Sequence, residues 1–277
     1  MNSNLVYDIG MNNGDDTAYY LSLGYKVIAV EAAPDLVDAA TERFKSFIAE
    51  NKLQILNIGI SESEGSMPFY INKYDSGWSS FDPNLGNRGG AGYDAIEVKT
   101  KTLDQVIKEY GVPYYLKIDI EGYDRIAIIS LINCATKPRF ISIELYSIDE
   151  ITLLAKLGYT KFKIIDQQHF LPLEIPATKE YLIYKKLTAF RTSRYFTTRV
   201  IRKLCGKMIA GFLEKRYRHL FNYNHTLGSS GPFGENYPGK WYSLNEIKEL
   251  FIYYKAEFEQ LPGSKENGWW IDIHATG

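Results

Sequence analysis

Val6-Tyr7-Asp8-Ile9-Gly10-Met11-Asn12-Asn13-Gly14-Asp15-Asp16-Thr17 is the stretch that decides the fold. An apolar strand from Leu5 to Ile9 runs into a turn with two glycines, and a helix follows. Glycine reaches backbone angles closed to other residues and lets a ligand approach the main chain. A strand, glycine turn and helix opening an α/β sheet form the place where nucleotide-like ligands sit. The next apolar run, Lys26-Val27-Ile28-Ala29-Val30, ends in Glu31, 21 residues beyond Gly10. An acid at that distance, on the tip of the second strand, suits hydrogen bonds to ribose hydroxyls.

The glycine spacing separates the candidate ligands. A dinucleotide fingerprint needs G-x-G-x-x-G, so that a pyrophosphate rests on the helix N-terminus. Here the pattern is Asp8-x-Gly10-x-Asn12-x-Gly14, one glycine short, with Asp8, Asp15 and Asp16 placing negative charge where a pyrophosphate would go. An adenosyl ligand with a cationic sulfonium and an amino acid tail fits better, which points to S-adenosylmethionine. The competing reading is a Rossmann-like turn that binds nothing.

Working outward, helical spacing of Leu36, Val37, Ala40, Phe44, Phe47 and Ile48 predicts one helix from Pro34 to about Glu50, and Leu53–Asn57 a third strand. Strand–helix–strand–helix–strand at this pitch means parallel pairing with right-handed crossovers. Asn57, Ile58 and Gly59 leave the third strand beside the expected pocket, where they could meet an adenine. A strand is expected at 66–72, then a long Gly/Ser/Asn-rich loop over 73–94 that includes Trp78. Loops of that length are functional or disordered. Further strands are read at 96–101, 114–120 and 140–145, and capping boxes at Thr102–Gln105, Ser147–Glu150 and Ser243–Glu246. Strands at 159–165 and 181–185 would finish the sheet as an antiparallel pair.

The 277 residues allow one large α/β domain, placed at 1–187, and a helical C-terminal extension at 188–277. No apolar run is long enough for a membrane span. The first strand begins within a few residues of Met1, so no signal peptide is expected. Two cysteines in no metal-type spacing favour a reducing, cytoplasmic setting. Net charge is −1, yet the segment from Lys185 to His219 has eleven Lys/Arg against Glu214 alone, so the remainder carries −11. The stripe Val200, Leu204, Met208, Phe212 with Arg199, Arg202, Lys203 and Lys207 opposite reads as a basic amphipathic helix over 195–220. That asymmetry suits a polyanionic partner or a solvated helix face equally well. The chain ends in Trp269-Trp270-Ile271-Asp272-Ile273-His274-Ala275, read as a tail that docks back onto the protein.

Several ordered segments, taken together, resemble the FkbM-type S-adenosylmethionine-dependent methyltransferases over residues 4–185. They are Asp8–Gly14, Glu31-Ala32-Ala33-Pro34, Thr102-Leu103-Asp104, Leu116-Lys117-Ile118-Asp119-Ile120-Glu121-Gly122 and Glu144. The resemblance implies a class I, Rossmann-like, seven-stranded α/β sheet of order 3-2-1-4-5-7-6. It also implies methyl transfer to a hydroxyl, on a sugar, a glycan or another small molecule. By that match Asp8, Gly10, Asn12 and Gly14 surround the methionine part and Glu31 holds the ribose. Thr17 and Ala32 complete the candidate cofactor set with Asn57, Ile58, Gly59 and Asp119.

Catalytic roles rest on chemistry. The acceptor hydroxyl must be positioned and must lose its proton. Asp119, at the C-terminal tip of the fourth long strand, is the first candidate base, and His274 the second. Asp119, Glu121 and Glu144 converging could hold Mg²⁺, which would acidify the alcohol. Trp78, Glu235, Trp241, Trp270 and Asp272 are the candidate acceptor-binding residues, since aromatic faces with polar neighbours suit polyhydroxylated ligands. Residues 226–242 and 268–275 are expected to cap the site. The alternatives are a ribose-directed nucleic-acid methyltransferase using the basic helix, a dehydrogenase disfavoured by the glycine spacing, and a binding module without catalysis. Amino-directed base methylation is disfavoured, because the fourth strand ends in Asp-Ile-Glu-Gly and not in the Asp/Asn-Pro-Pro-aromatic clamp.

Overall fold

The computed structural model describes residues 2–167, 170–179, 181–183, 185–186, 223–226, 228–235, 237–260 and 269–277. The basic helix expected over 195–220 and the domain boundary expected at 187 both fall outside the described residues.

The chain begins β1 (Asn2–Ile9), α1 (Asp15–Ser22), β2 (Lys26–Val30), α2 (Pro34–Arg43), α3 (Lys45–Ala49) and β3 (Leu53–Leu56). β4 (Gly59–Ile60), β5 (Gly65–Asn72), α4 (Pro83–Gly86), β6 (Tyr93–Lys101), α5 (Leu103–Tyr110), β7 (Pro113–Ile118), α6 (Asp124–Ser130) and β8 (Phe140–Glu144) follow. After α7 (Ile148–Lys156), β9 (Lys161–Asp166) and β10 (Leu171–Pro172) come α8 (Leu244–Glu259) and β11 (Ile271–Thr276).

The main sheet has eight strands in the order β10-β9-β11-β8-β7-β1-β2-β3, which corrects the expected seven-stranded sheet and its order. β3, β2, β1, β7 and β8 pair in parallel, and β9 and β10 antiparallel. The apolar run Leu5–Ile9 is buried throughout, as a strand covered on both faces must be. One expectation failed near the C-terminus, and another took a more specific form. Where a strand was expected over 181–185, the described residues Tyr181–Ile183 and Lys185 are helical. The last residues do dock back, as expected, but as a strand, β11, buried at all six positions. Ile271, Ile273 and Ala275 alternate with period two, a strand pattern that carries no mark of which sheet it joins.

The chain divides into two compact units. The first comprises Met1–Glu144, Thr152–Tyr159 and Ala275–Gly277. It holds the parallel strands and a small sheet of order β4-β6-β5, in which β5 and β6 pair antiparallel from Gly65↔Thr100 to Asn72↔Tyr93. The helix expected over 34–50 is two helices, broken at Phe44 (φ −109°, ψ 18°), whose ring is buried. Thr102 and Gln105 close a reciprocal capping box on α5, as the sequence predicts.

The second unit comprises Leu145–Ile151 and Thr160–His274. Phe162 and Tyr242 exchange backbone hydrogen bonds there, and Tyr254 Oη donates to the Glu174 carbonyl. Trp269 stacks on Phe251 and Phe258 of α8, with ring centroids 5.8 and 5.5 Å away. The Glu246 carboxylate accepts from Ser243 N and Oγ at the start of α8, the expected capping interaction.

Candidate active site

The first unit contains a cleft, open to solvent, at the C-terminal tips of β1, β2 and β7. Its walls include Gly10, Asn12, Glu31, Ala32, Ile58, Gly59 and Asp119 from the sequence-derived set. Val30, Ile60, Phe69, Phe81, Ser76, Gly77, Ser79, Ile120 and Glu121 complete them.

Gly10 and Gly14 adopt the positive φ that the sequence reading expects, and three glycines also do something it did not name. A Cβ at Gly10 (φ +84°) would lie 1.8 Å from the Asp119 carbonyl oxygen, one at Gly14 (φ +80°) 2.7 Å from the Phe44 ring, and one at Gly59 2.2 Å from the Phe81 ring. The missing side chains make room for the protein's own chain. β1 and β7 can therefore approach, and the Asp119 N–H donates to the Ile9 carbonyl at 2.9 Å.

Glu31 leaves β2 into the cavity wall, buried to 7% exposure. Its two carboxylate oxygens accept from Asn12 N and Ala33 N, both at 2.8 Å. Burial raises its pKa, and these amide dipoles oppose the rise. Asn57 Nδ2 donates to the carbonyls of Glu31 and Ala32, so this residue fixes the loop after β2.

Asp8 and Thr17 lie beneath the floor rather than in the wall. Thr17 Oγ1 donates to Asp8 Oδ2 at 2.6 Å, and both side chains are fully buried. Their neighbour is a residue to which the sequence reading gave no role. Lys117 sits opposite Asp8 in the β1–β7 register. Its Nζ lies 3.2 Å from Asp8, 3.3 Å from Asp16 and 3.6 Å from Asp119, and it donates to the Gly10 carbonyl at 3.1 Å. Burial acts to lower the Lys117 pKa, but these carboxylates outweigh it and hold the ammonium well above its ordinary value. Asp8 is raised, chiefly by burial and against the pull of Lys117. A lysine inside the otherwise apolar run Tyr115-Leu116-Lys117-Ile118, beside a strand carrying Asp8, was the available signal.

Asp119 follows β7, and Glu144 ends the neighbouring strand, whose register pairs Ile118 with Ile143. Carboxylate oxygens of Asp119, Glu121 and Glu144 lie within 4.8 Å of one another. Glu121 adopts φ +42°, a left-handed conformation that costs a non-glycine residue about 1–3 kcal/mol and clusters at functional sites. Arg88 Nη2 donates to Glu121 Oε2 at 2.9 Å, while the Arg88 guanidinium lies over the Trp78 ring. Burial, then the charges of Glu144 and Asp119, push the Glu121 pKa up to about 8 against the pull of Arg88.

The segment expected as a loop over 73–94 holds two short 3-10 turns and α4, pinned from inside. Asn72 Nδ2 donates to the carbonyls of Gly86 and Arg88, and its Oδ1 accepts from Tyr74 N and Asp75 N. Ser76 Oγ donates to Asn12 Oδ1 at 2.9 Å, tying this segment to the glycine turn. Trp78 lies in it beside Tyr74 and does not line the cavity.

The remaining expected residues belong to the second unit and are not among the cavity-lining residues. His274 is 3% exposed on β11, and burial, with Lys163 nearby, lowers its pKa to about 3. Asp272 is buried on the same strand. Trp270 accepts the Gln167 N–H through its carbonyl, and Lys163 Nζ lies over the Trp241 ring at 4.4 Å. Glu235 is exposed.

A parallel sheet with an acid at the tip of its second strand, a glycine turn and a cavity between them defines a nucleotide-binding α/β enzyme class. Residues 8–186 match the methyltransferase FkbM domain, and the chain belongs to that family. Among solved structures the chain is similar to the methyltransferase FkbM of Methylobacillus flagellatus, at 16% identity and TM-score 0.39, over 57% of this chain and 38% of that one. It is also similar to phosphoethanolamine N-methyltransferase 2 of Haemonchus contortus in complex with S-adenosyl-L-methionine, at 12% identity and TM-score 0.37, over 99% of this chain and 48% of that one. The chain thus spans less than half the length of either, and neither likeness carries an argument. No curated protein matches. No helix among the described residues is long and apolar enough to cross a membrane.

Proposed function

We propose that this protein is an S-adenosylmethionine-dependent O-methyltransferase acting on a hydroxyl of a sugar, a glycan or another small molecule. The observation that carries the reading is the meeting of Gly10, Asn12, Glu31 and Asp119 in one cavity with an apolar wall of Val30, Ile58, Ile60 and Phe69. The residues present fit the cofactor. Glu31 is a buried acceptor for ribose hydroxyls, the apolar wall suits a flat base, and the acidic surroundings suit a cation better than a pyrophosphate. Asp8, Gly14 and Thr17 support the turn from below, and Ala32, Asn57 and Gly59 support the loops around the base.

When bound, the cofactor supplies a methyl group activated by a sulfonium. The chain's own task is to hold the acceptor oxygen in line with that group and to take its proton. Asp119 supports this reading as the base, since it lines the cavity and Lys117 Nζ lies 3.6 Å from its Oδ2. The ribose-directed alternative rests on the basic segment, and nothing among the described residues favours it.

Two measurements test the reading. Calorimetry should show S-adenosylmethionine binding and no NAD⁺ binding. Transfer of labelled methyl to a panel of free and nucleotide-linked sugars should be seen, and Asp119→Asn should cut it by roughly 10²-fold. No affinity for S-adenosylmethionine would end the proposal, and turnover within a few-fold of wild type in Asp119→Asn would remove Asp119 as the base.

A further inference from the structure

The tips of β7 and β8 carry a second arrangement that methyl transfer does not by itself require. Oxygens from Asp119, Glu121 and Glu144 come within 4.8 Å of one another. One ion spans opposite ligands at twice its bond length, about 4.2 Å for Mg²⁺ and about 4.8 Å for Ca²⁺. The trio therefore has the reach of a single coordination shell. Acidic clusters are common without an ion, and this one is distinguished by a fourth carboxylate behind it. Asp124, the first residue of α6, is 3% exposed, and neither of its oxygens has a partner in hydrogen-bond geometry. After burial, the charges of Asp119 and Glu144 weigh most on it, and backbone N–H groups, its own and that of Ile120, act the other way. A buried carboxylate without a partner costs several kcal/mol unless charge is supplied to it. The cations nearby are committed: Arg88 to Glu121, and Lys117 to Asp8 and Asp16 as well as Asp119.

We infer that Asp119, Glu121 and Glu144 bind one hard divalent cation, of the Mg²⁺, Mn²⁺ or Ca²⁺ kind, with Asp124 behind them orienting the ligands. An all-oxygen donor set selects this class over the soft metals. The binding claim stands without the methyl-transfer reading. Only the consequence rests on it: an acceptor hydroxyl on the cation would be acidified beside the methyl group.

The test is Mn²⁺ titration of the metal-free protein, followed by electron paramagnetic resonance and without S-adenosylmethionine. One equivalent should bind, and Mg²⁺ should compete. Glu144→Gln and Asp124→Asn should each weaken binding by roughly ten-fold or more, the usual scale for ligands and their supporting partners. Asp35→Asn, on exposed α2, should leave it unchanged. Absence of a Mn²⁺ site in the wild type overturns the inference, as does unaltered affinity in Glu144→Gln, which decides the matter if Asp124→Asn does not fold. Calorimetry with S-adenosylmethionine alone reports separately on the cofactor site.

Discussion

Replacing Gly10 by alanine tests the central geometry, and Gly24 supplies its control. Both residues adopt nearly the same backbone angle, φ +84° and +87°. Alanine in that region costs roughly 1–2 kcal/mol at either site. The surroundings differ. A Cβ at Gly24 meets nothing within 4 Å, whereas at Gly10 it falls 1.8 Å from the Asp119 carbonyl oxygen. Real Cβ contacts stay above 3.0 Å, so the chain at Asp119 must retreat by about 1.2 Å. That retreat breaks the Asp119 N–H···O=C Ile9 bond, worth about 0.5–1.5 kcal/mol net, and loosens the packing of β1 on β7. Gly10→Ala should therefore be about 1–3 kcal/mol less stable than Gly24→Ala in urea denaturation, with a melting temperature lower by about 2–4 °C per kcal/mol. A displacement near 1 Å also spoils a reacting geometry, by about 10²-fold in rate. Affinity for S-adenosylmethionine should fall in Gly10→Ala and persist in Gly24→Ala. Equal stability and equal affinity in the two variants would refute the reasoning.

Three further outcomes are expected. Glu31→Ala should weaken S-adenosylmethionine binding by about 1–3 kcal/mol in calorimetry, since the ribose loses a charged acceptor; unchanged affinity in the folded variant would remove Glu31 from the site. Lys117→Met should cost about 3–5 kcal/mol in chemical denaturation at pH 7, because Asp8 and Asp16 stay buried without a counter-charge. A loss below about 1 kcal/mol would mean that those carboxylates do not depend on Lys117. Glu121 and Asp124, both raised to about 8, hold protons in the folded state that the unfolded chain releases near pH 4. With more protons bound when folded, stability should fall as pH rises from about 4 to about 8. The melting temperature of cation-free protein should decline over that window, and Mg²⁺ should restore more of it at pH 8 than at pH 5. A flat profile would contradict the raised values.

Local signals carried the nucleotide-binding half of the fold. The turn at Gly10, the acid at Glu31 and the capping boxes at Thr102 and Ser243 are each written within a few residues, and the structure forms them. What failed depends on partners far along the chain. The pattern Ile271-Asp272-Ile273-His274-Ala275 is strand-like, but its insertion between β8 and β9 follows from pairing that no local period encodes. Lys117 was quoted among the matching residues and given no task, because its role arises only when the β1–β7 register sets it opposite Asp8. Asp124 was overlooked for the same reason: a polar residue opening a helix looks ordinary until its burial is known. The segment over 73–94 read as a loop because much of its order comes from outside it, from Asn72, whose side chain holds four backbone groups in place.

Asn12 combines three duties. Its backbone N–H goes to Glu31, its side chain accepts from Ser76, and its φ of +49° lets the turn pass between them. A left-handed angle narrows the residues that fit there to glycine, asparagine and aspartate. Glycine would give up the tie to Ser76, and aspartate would set another negative charge beside Glu31. The position thus has little room to drift. Under the proposed function, the segment from Ser76 to Ser79 borders the acceptor, so a new acceptor preference gained by reshaping it must keep a partner for Asn12 or disturb the cofactor turn as well. Selection on the acceptor would then be constrained by selection on the cofactor, through one amide side chain.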